Sequence, residues 1–227
     1  MKQITKLNEP HSLTEHRAQP YSTFDNLPLS AKQDLRENLL NEQGYICCYC
    51  TKRIPEKIDA DGNISDDMKI EHYQCQTQHP ELQLSYSNLL GACMGNKGKP
   101  QNLQTCDTRK GNNTTLTISP LNIQNCESLF KYSANGEISS VNNDTEINRQ
   151  LKEVLNLNMQ TLKDNRKQVY LEVQRRVEIA SQGKSKNLKK RYFEQERNKW
   201  LNKIDGKYKE FCMVAVYYLN KKIRQNG

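Results

Sequence analysis

Long hydrophobic runs are missing from this 227-residue chain; the longest uninterrupted one is Phe211 to Leu219. A membrane-crossing helix needs about 20 apolar residues, so none is expected. Tryptophan occurs once, phenylalanine four times, and hydrophobic residues make up only 35% of the whole. With a mean hydropathy of −0.93, that is low for a compact enzyme yet too apolar for a disordered chain. The opening MKQITKLNEPHSLTEHR has no apolar stretch of the kind a secretory leader carries. The expected location is the cytoplasm, with no membrane partner.

Charge is present but unevenly placed. Residues 145–227 hold 20 Lys and Arg against 9 Asp and Glu, so the overall +8 comes from this basic third set on a mildly acidic body. Such a split suits either a surface for a polyanion or a solvated helical face. Eight cysteines without a leader read as metal ligands or core thiols rather than disulfides.

The expected fold class is α+β, in three stretches. Residues 1–43 make an irregular lead-in to about residue 27, followed by a helix opened by a Ser30/Gln33 capping box and closed by Gly44. Residues 44–134 are rich in turn signals, with brief strands expected at Ile46–Tyr49 and Met68–Tyr73 and a short stretch, Leu89–Cys93, left unclassified. Asn135-Gly136 to Asn143 reads as a linker. Residues 145–227 are helical by spacing (Ile147, Leu151, Val154, Leu155, Leu162, Val169, Val173, Val177), with a last helix from about Lys207 to Arg224.

Cys47 and Cys50 form a Cys-x2-Cys pair, a spacing that folds two thiolates onto one zinc ion. A structural zinc takes four ligands, and Cys93 and Cys106 supply the rest although 12 residues separate them. Cys48 and Cys75 stand as substitutes; Cys126 and Cys212 lie apart.

Between and after these pairs come Ile70-Glu71-His72-Tyr73, Tyr86-Ser87-Asn88-Leu89-Leu90 and Cys106-Asp107-Thr108-Arg109-Lys110-Gly111-Asn112. In order and spacing, residues 44–113 resemble an HNH nuclease of the ββα-metal type. The resemblance implies a zinc-pinned core that hydrolyses phosphodiester bonds with bound Mg2+ or Mn2+. His72 would be the general base, Glu71 and Asp107 the ligands of the catalytic metal, Asn88 the brace of the loop carrying the base, and Lys110 a phosphate contact. Two departures stand out: no proline follows His72, and Asp107 occupies a place the family usually gives to His or Asn, leaving Asn112 as a rival ligand.

More broadly, residues 1–115 (KQITKLNEPHSL, YICCYC, IEHY, LSYSNLLGAC, TCDTRKGN) are similar to the HNH protein of Septu and retron-associated anti-phage systems. That similarity implies a bacterial toxic effector working with an ABC-type ATPase and, in retron versions, with a reverse transcriptase and its DNA–RNA product. DNA is the expected substrate. The alternatives are RNA such as tRNA, cut by the same site, and a zinc subunit that binds nucleic acid without cutting it.

In the basic third, Lys184, Lys186, Lys189, Lys190 and Arg191 fall at spacings that would put most of them on one helical face, a candidate phosphate grip. Tyr192, Phe193 and Trp200 among them would either stack on bases or pack the helix.

Overall fold

The computed structural model describes residues 1–58, 64–112, 114–121 and 126–226, with only the backbone described at 57–58 and 64–66. It is a mixed α+β structure. In chain order the elements are α1 (His11–Arg17), α2 (Leu29–Gln43), β1 (Glu56–Ile58), β2 (Ile64–Asp66), β3 (Met68–His72), β4 (Leu89–Cys93), α3 (Cys106–Lys110), β5 (Phe130–Tyr132), β6 (Ile138–Ser140), α4 (Thr145–Arg149), α5 (Gln160–Ser181), α6 (Lys186–Leu201) and α7 (Cys212–Gln225). The strands pair as three antiparallel hairpins, β1–β2, β3–β4 and β5–β6. Among the described residues no helix is long and apolar enough to cross a membrane.

Helix α2 forms because Ala31, Leu35 and Leu39 recur every fourth residue and bury one stripe. Gly44 ends it in the left-handed region (φ 58°), where a side chain would also collide with the Tyr208 ring. The expected Ser30/Gln33 box is not formed: Pro28 takes the N-cap position and no side chain caps the helix. Gln43, near the helix end, bonds both polar groups of Gly91 in β4, at 2.7 and 2.8 Å. Helix and hairpin are thereby locked together.

Residues 1–27 are not a wholly irregular lead-in. They contain α1, which has one buried apolar anchor, Leu13, too few for any periodicity to show. The stretch Ile46–Tyr49 is not a strand. It enters a tight turn closed by Thr51 N–H on the Cys47 carbonyl at 3.0 Å, because both cysteines must face one point. Asn135-Gly136 is no open linker but the turn of the β5–β6 hairpin.

The helical third is more broken than its apolar spacing suggests. After α4, capped by Asp144, comes a π-helical turn (Gln150–Val154) and then an extended break before α5. Asn156 and Asn158 hold that break by bonds to the Asn102, Gln104 and Ile138 backbones. The last helix starts at Cys212, later than expected, because Phe211 adopts a left-handed backbone (φ 53°) while its N–H reaches the Thr51 carbonyl at 2.9 Å. Helix α7 then packs on α5, α6 and β5, burying seven of its first eight residues, which is why its apolar run has no polar face.

Candidate metal centre and active site

Cys47 and Cys50 leave the turn after α2, Cys93 ends β4, and Cys106 opens α3. Their four sulfurs, all buried, lie within 4.8 Å of one another. The Cys50–Cys93 and Cys93–Cys106 sulfur separations are both 3.8 Å. A tetrahedron with Zn–S bonds of about 2.3 Å has edges of about 3.8 Å, so the quartet fits a zinc ion. The 12-residue excursion closes because Gly95 (φ 52°) turns the chain back and its carbonyl accepts the Thr105 N–H at 3.0 Å; a Cβ there would strike the Thr105 carbonyl. Burial raises thiol pKa values, but at Cys47 the neighbouring thiols outweigh it through hydrogen bonds and hold the group well below its ordinary value. A thiol poised to ionise suits a metal ligand. Cys48, Cys75, Cys126 and Cys212 are buried outside this quartet.

Next to this cluster two carboxyl groups meet. Glu71 of β3 and Asp107 of α3 lie close enough for each carboxyl to act on the other's protonation. Glu71 Oε1 also accepts from the Tyr49 hydroxyl and from the Lys110 ammonium, each at 2.6 Å. Lys110 additionally donates to the His72 carbonyl at 2.8 Å. On the outer side, the Lys69 ammonium is paired with Asp107 and lies 3.4 Å from Thr108 Oγ1. Burial, followed by the adjoining Asp107, raises the Glu71 pKa well above the usual carboxylate range. At Asp107 burial pushes the same way, but the adjoining Glu71 carboxyl and the Lys69 ammonium outweigh it and the pKa is lowered. Asp107 is therefore the more readily ionised of the two. Asn112 is exposed beyond the end of α3.

His72 ends β3, facing the opposite side of the strand from Glu71. Its Nε2 lies 3.0 Å from the Gln83 carbonyl. A carbonyl only accepts, so Nε2 carries the proton and, in the neutral ring, Nδ1 keeps a lone pair. Burial lowers the His72 pKa and favours that neutral form. Phe24 meets the ring edge-on, with centroids 4.5 Å apart and planes at 86°, which fixes its orientation. Asp107 and Lys110 both lie near enough to act on its charge.

Asn88 spans the loop that leaves His72. Its Oδ1 accepts the Gln74 N–H at 2.8 Å, and its Nδ2 donates to the Gln74 and Leu82 carbonyls. The Asn88 carbonyl also accepts the Tyr73 N–H at 2.9 Å.

The basic residues lie elsewhere, around the start of α6. Lys184, Lys186 and Arg191 are exposed, and Lys189 and Lys190 are half-buried. At 100° per residue, Lys186, Lys189 and Lys190 continue the stripe of Phe193, Glu196 and Trp200, while Arg191 points to the other side. Phe193 and Trp200 are buried packing residues, so neither offers a face to a base. Tyr192 is half-buried, with the Lys184 ammonium 5.4 Å from its ring centre.

Tyr49, Lys69, Phe24 and the Gln83 carbonyl were not singled out by sequence reasoning. Two of them left a trace there. Tyr49 lies inside the Cys-x2-Cys pair, and Lys69 precedes Glu71 by two residues, the strand period that puts both on one face. No protein-family model matches the chain, and a search of curated proteins finds no match.

Proposed function

We propose that this protein is a metal-dependent nuclease of the HNH kind, a hydrolase of phosphodiester bonds with a structural zinc. The observation that carries the reading is the junction of Glu71 and Asp107 on a hairpin and helix that also carry two of the four clustered cysteines, with His72 next in the strand and near enough for Asp107 to act on its charge. A paired carboxyl site with hard oxygen donors suits Mg2+ or Mn2+, which keep several waters and bind through one or two carboxylates plus substrate phosphate. When bound, that ion stabilises charge on the phosphate and the departing oxygen.

The chain's own residues do the rest. His72 Nδ1 takes a proton from water, and the water oxygen forms a bond to phosphorus as the P–O bond to the leaving sugar oxygen breaks. The leaving oxygen collects a proton from solvent, so atoms and charge balance. Glu71 and Asp107 would hold the ion, Tyr49 and Lys110 fix Glu71, Asn88 steadies the loop behind the base, and the Gln83 carbonyl keeps Nδ1 as the basic atom.

The resemblance to Septu and retron-associated HNH proteins extends the proposal to an anti-phage effector acting with an ABC-type ATPase. The basic start of α6 offers a second contact to nucleic acid.

The test is cleavage by purified zinc-loaded protein, alone and with the ATPase, of duplex DNA, single-stranded DNA and tRNA, with and without Mg2+. Mg2+-dependent cutting of any of the three supports the nuclease and names its substrate. Binding without cutting under every condition overturns it in favour of a zinc nucleic-acid-binding subunit.

A further inference from the structure

Two lysines sit on the carboxyl pair, and their surroundings differ. The Lys110 side chain is 1% exposed and spans Glu71 and the His72 carbonyl. Lys69, on the rim, has a side chain 30% exposed, and its partner Asp107 has 11%. The lysine expected from sequence to meet phosphate is thus enclosed, while another that shares the Glu71 face of β3 is partly open to solvent.

We propose that Lys69 is the residue that binds substrate phosphate at this site, its ammonium moving from Asp107 to a phosphate oxygen, while Lys110 stays as the fixed counter-charge of Glu71. The proposal rests on the nuclease reading of the Glu71–Asp107 pair. Three features carry it. A lysine ammonium is a compact charge on a flexible four-carbon stem, so a partly exposed one changes partner readily. Only the lysine end of this pair is open to solvent, so the ammonium can leave Asp107 and still be hydrated. A cation held by both carboxylates would compete with Lys69 for Asp107, and the displaced ammonium would stay at the solvent side of the carboxyl pair, within reach of a phosphate bound to that cation. Lys110 has no comparable freedom, because leaving Glu71 and the His72 carbonyl would strand its buried ammonium without partners.

The test is salt-dependent binding of a labelled 20-base-pair DNA duplex and a 20-nucleotide RNA, with Mg2+ present, in a His72→Ala background that leaves the probe uncut. Zinc content and melting temperature are checked for each variant. Each phosphate contact contributes about 0.9 to the slope of log affinity against log salt for duplex DNA and about 0.7 for a single strand. Lys69→Met is expected to reduce the slope by that amount, which at 0.1 M salt corresponds to roughly eightfold weaker duplex binding. Lys69→Arg restores the slope, and Lys69→Gln serves the same comparison if the methionine variant melts early. Equal slopes with and without the Lys69 charge overturn the proposal, even if the His72 protein cuts. A Lys69-dependent slope in a protein whose His72 form never cuts upholds the contact and overturns the nuclease reading. Absence of binding to either probe overturns both.

Discussion

The Tyr49 hydroxyl, placed between Cys47 and Cys50 of the four-cysteine cluster, donates to Glu71 Oε1 at 2.6 Å. Through this bond the turn that carries two of the clustered cysteines also sets the direction of the Glu71 carboxyl, and Tyr49 is fully buried. Tyr49→Phe keeps the ring and removes the bond. It is expected to keep its zinc and lose about 1–2 kcal/mol of stability in urea unfolding. It should also need more Mg2+ for half-maximal cleavage, with the maximal rate less affected. An unchanged Mg2+ requirement would contradict the positioning role.

Removing one zinc ligand should unfold the protein. Structural zinc contributes about 10 kcal/mol or more to small metal-held folds, which matches or exceeds the net stability of a typical domain. Cys47→Ser, Cys50→Ser, Cys93→Ser and Cys106→Ser should each lose bound zinc and native circular dichroism. Cys48→Ser and Cys75→Ser should keep one zinc per chain by atomic emission. Loss of zinc in either of the latter would mean that the quartet is wrongly drawn.

The two lysines on the carboxyl pair should differ in stability as they differ in burial. Lys110→Met leaves Glu71 buried without its cation, a change that costs about 3 kcal/mol or more. Lys69→Met breaks a pair whose lysine is partly open to solvent and should cost less, about 1–2 kcal/mol. Equal losses in urea unfolding would contradict the assigned environments.

Asn88→Ala removes the three side-chain bonds that tie Gln74 and Leu82 together. The variant should keep zinc while its cleavage rate falls at least tenfold, and its stability should drop by about 2–3 kcal/mol at the usual contribution of each bond. A variant with full rate and altered stability alone would make Asn88 a purely structural residue.

Much of this arrangement is legible in the residues. The Cys-x2-Cys pair and two later cysteines announce a metal site, because chemistry demands four ligands at one point. The 3.6-residue spacing in α2 and the apolar patch in α7 announce buried helices. Other features are hidden because they depend on single contacts. Helix α1 buries only one apolar residue, Leu13, so no periodicity marks it. Asn135-Gly136 is a strong hairpin signal, masked here because the flanking strands are only three residues long. Lys69 and Lys110 are chemically identical, and only packing decides which one is enclosed. The break before α5 is set by Asn156 and Asn158 bonding to distant backbone, which no local pattern encodes.

The central claim is that His72 is the base of a zinc-held, Mg2+-dependent nuclease. Its most direct measurement is the cleavage rate of purified His72→Ala beside wild type, with zinc content and melting temperature recorded on the same samples. The account predicts equal zinc, a melting temperature within a few degrees of wild type, and a loss of cleavage of at least about a hundredfold. Wild-type cleavage by the zinc-loaded, folded variant would contradict it.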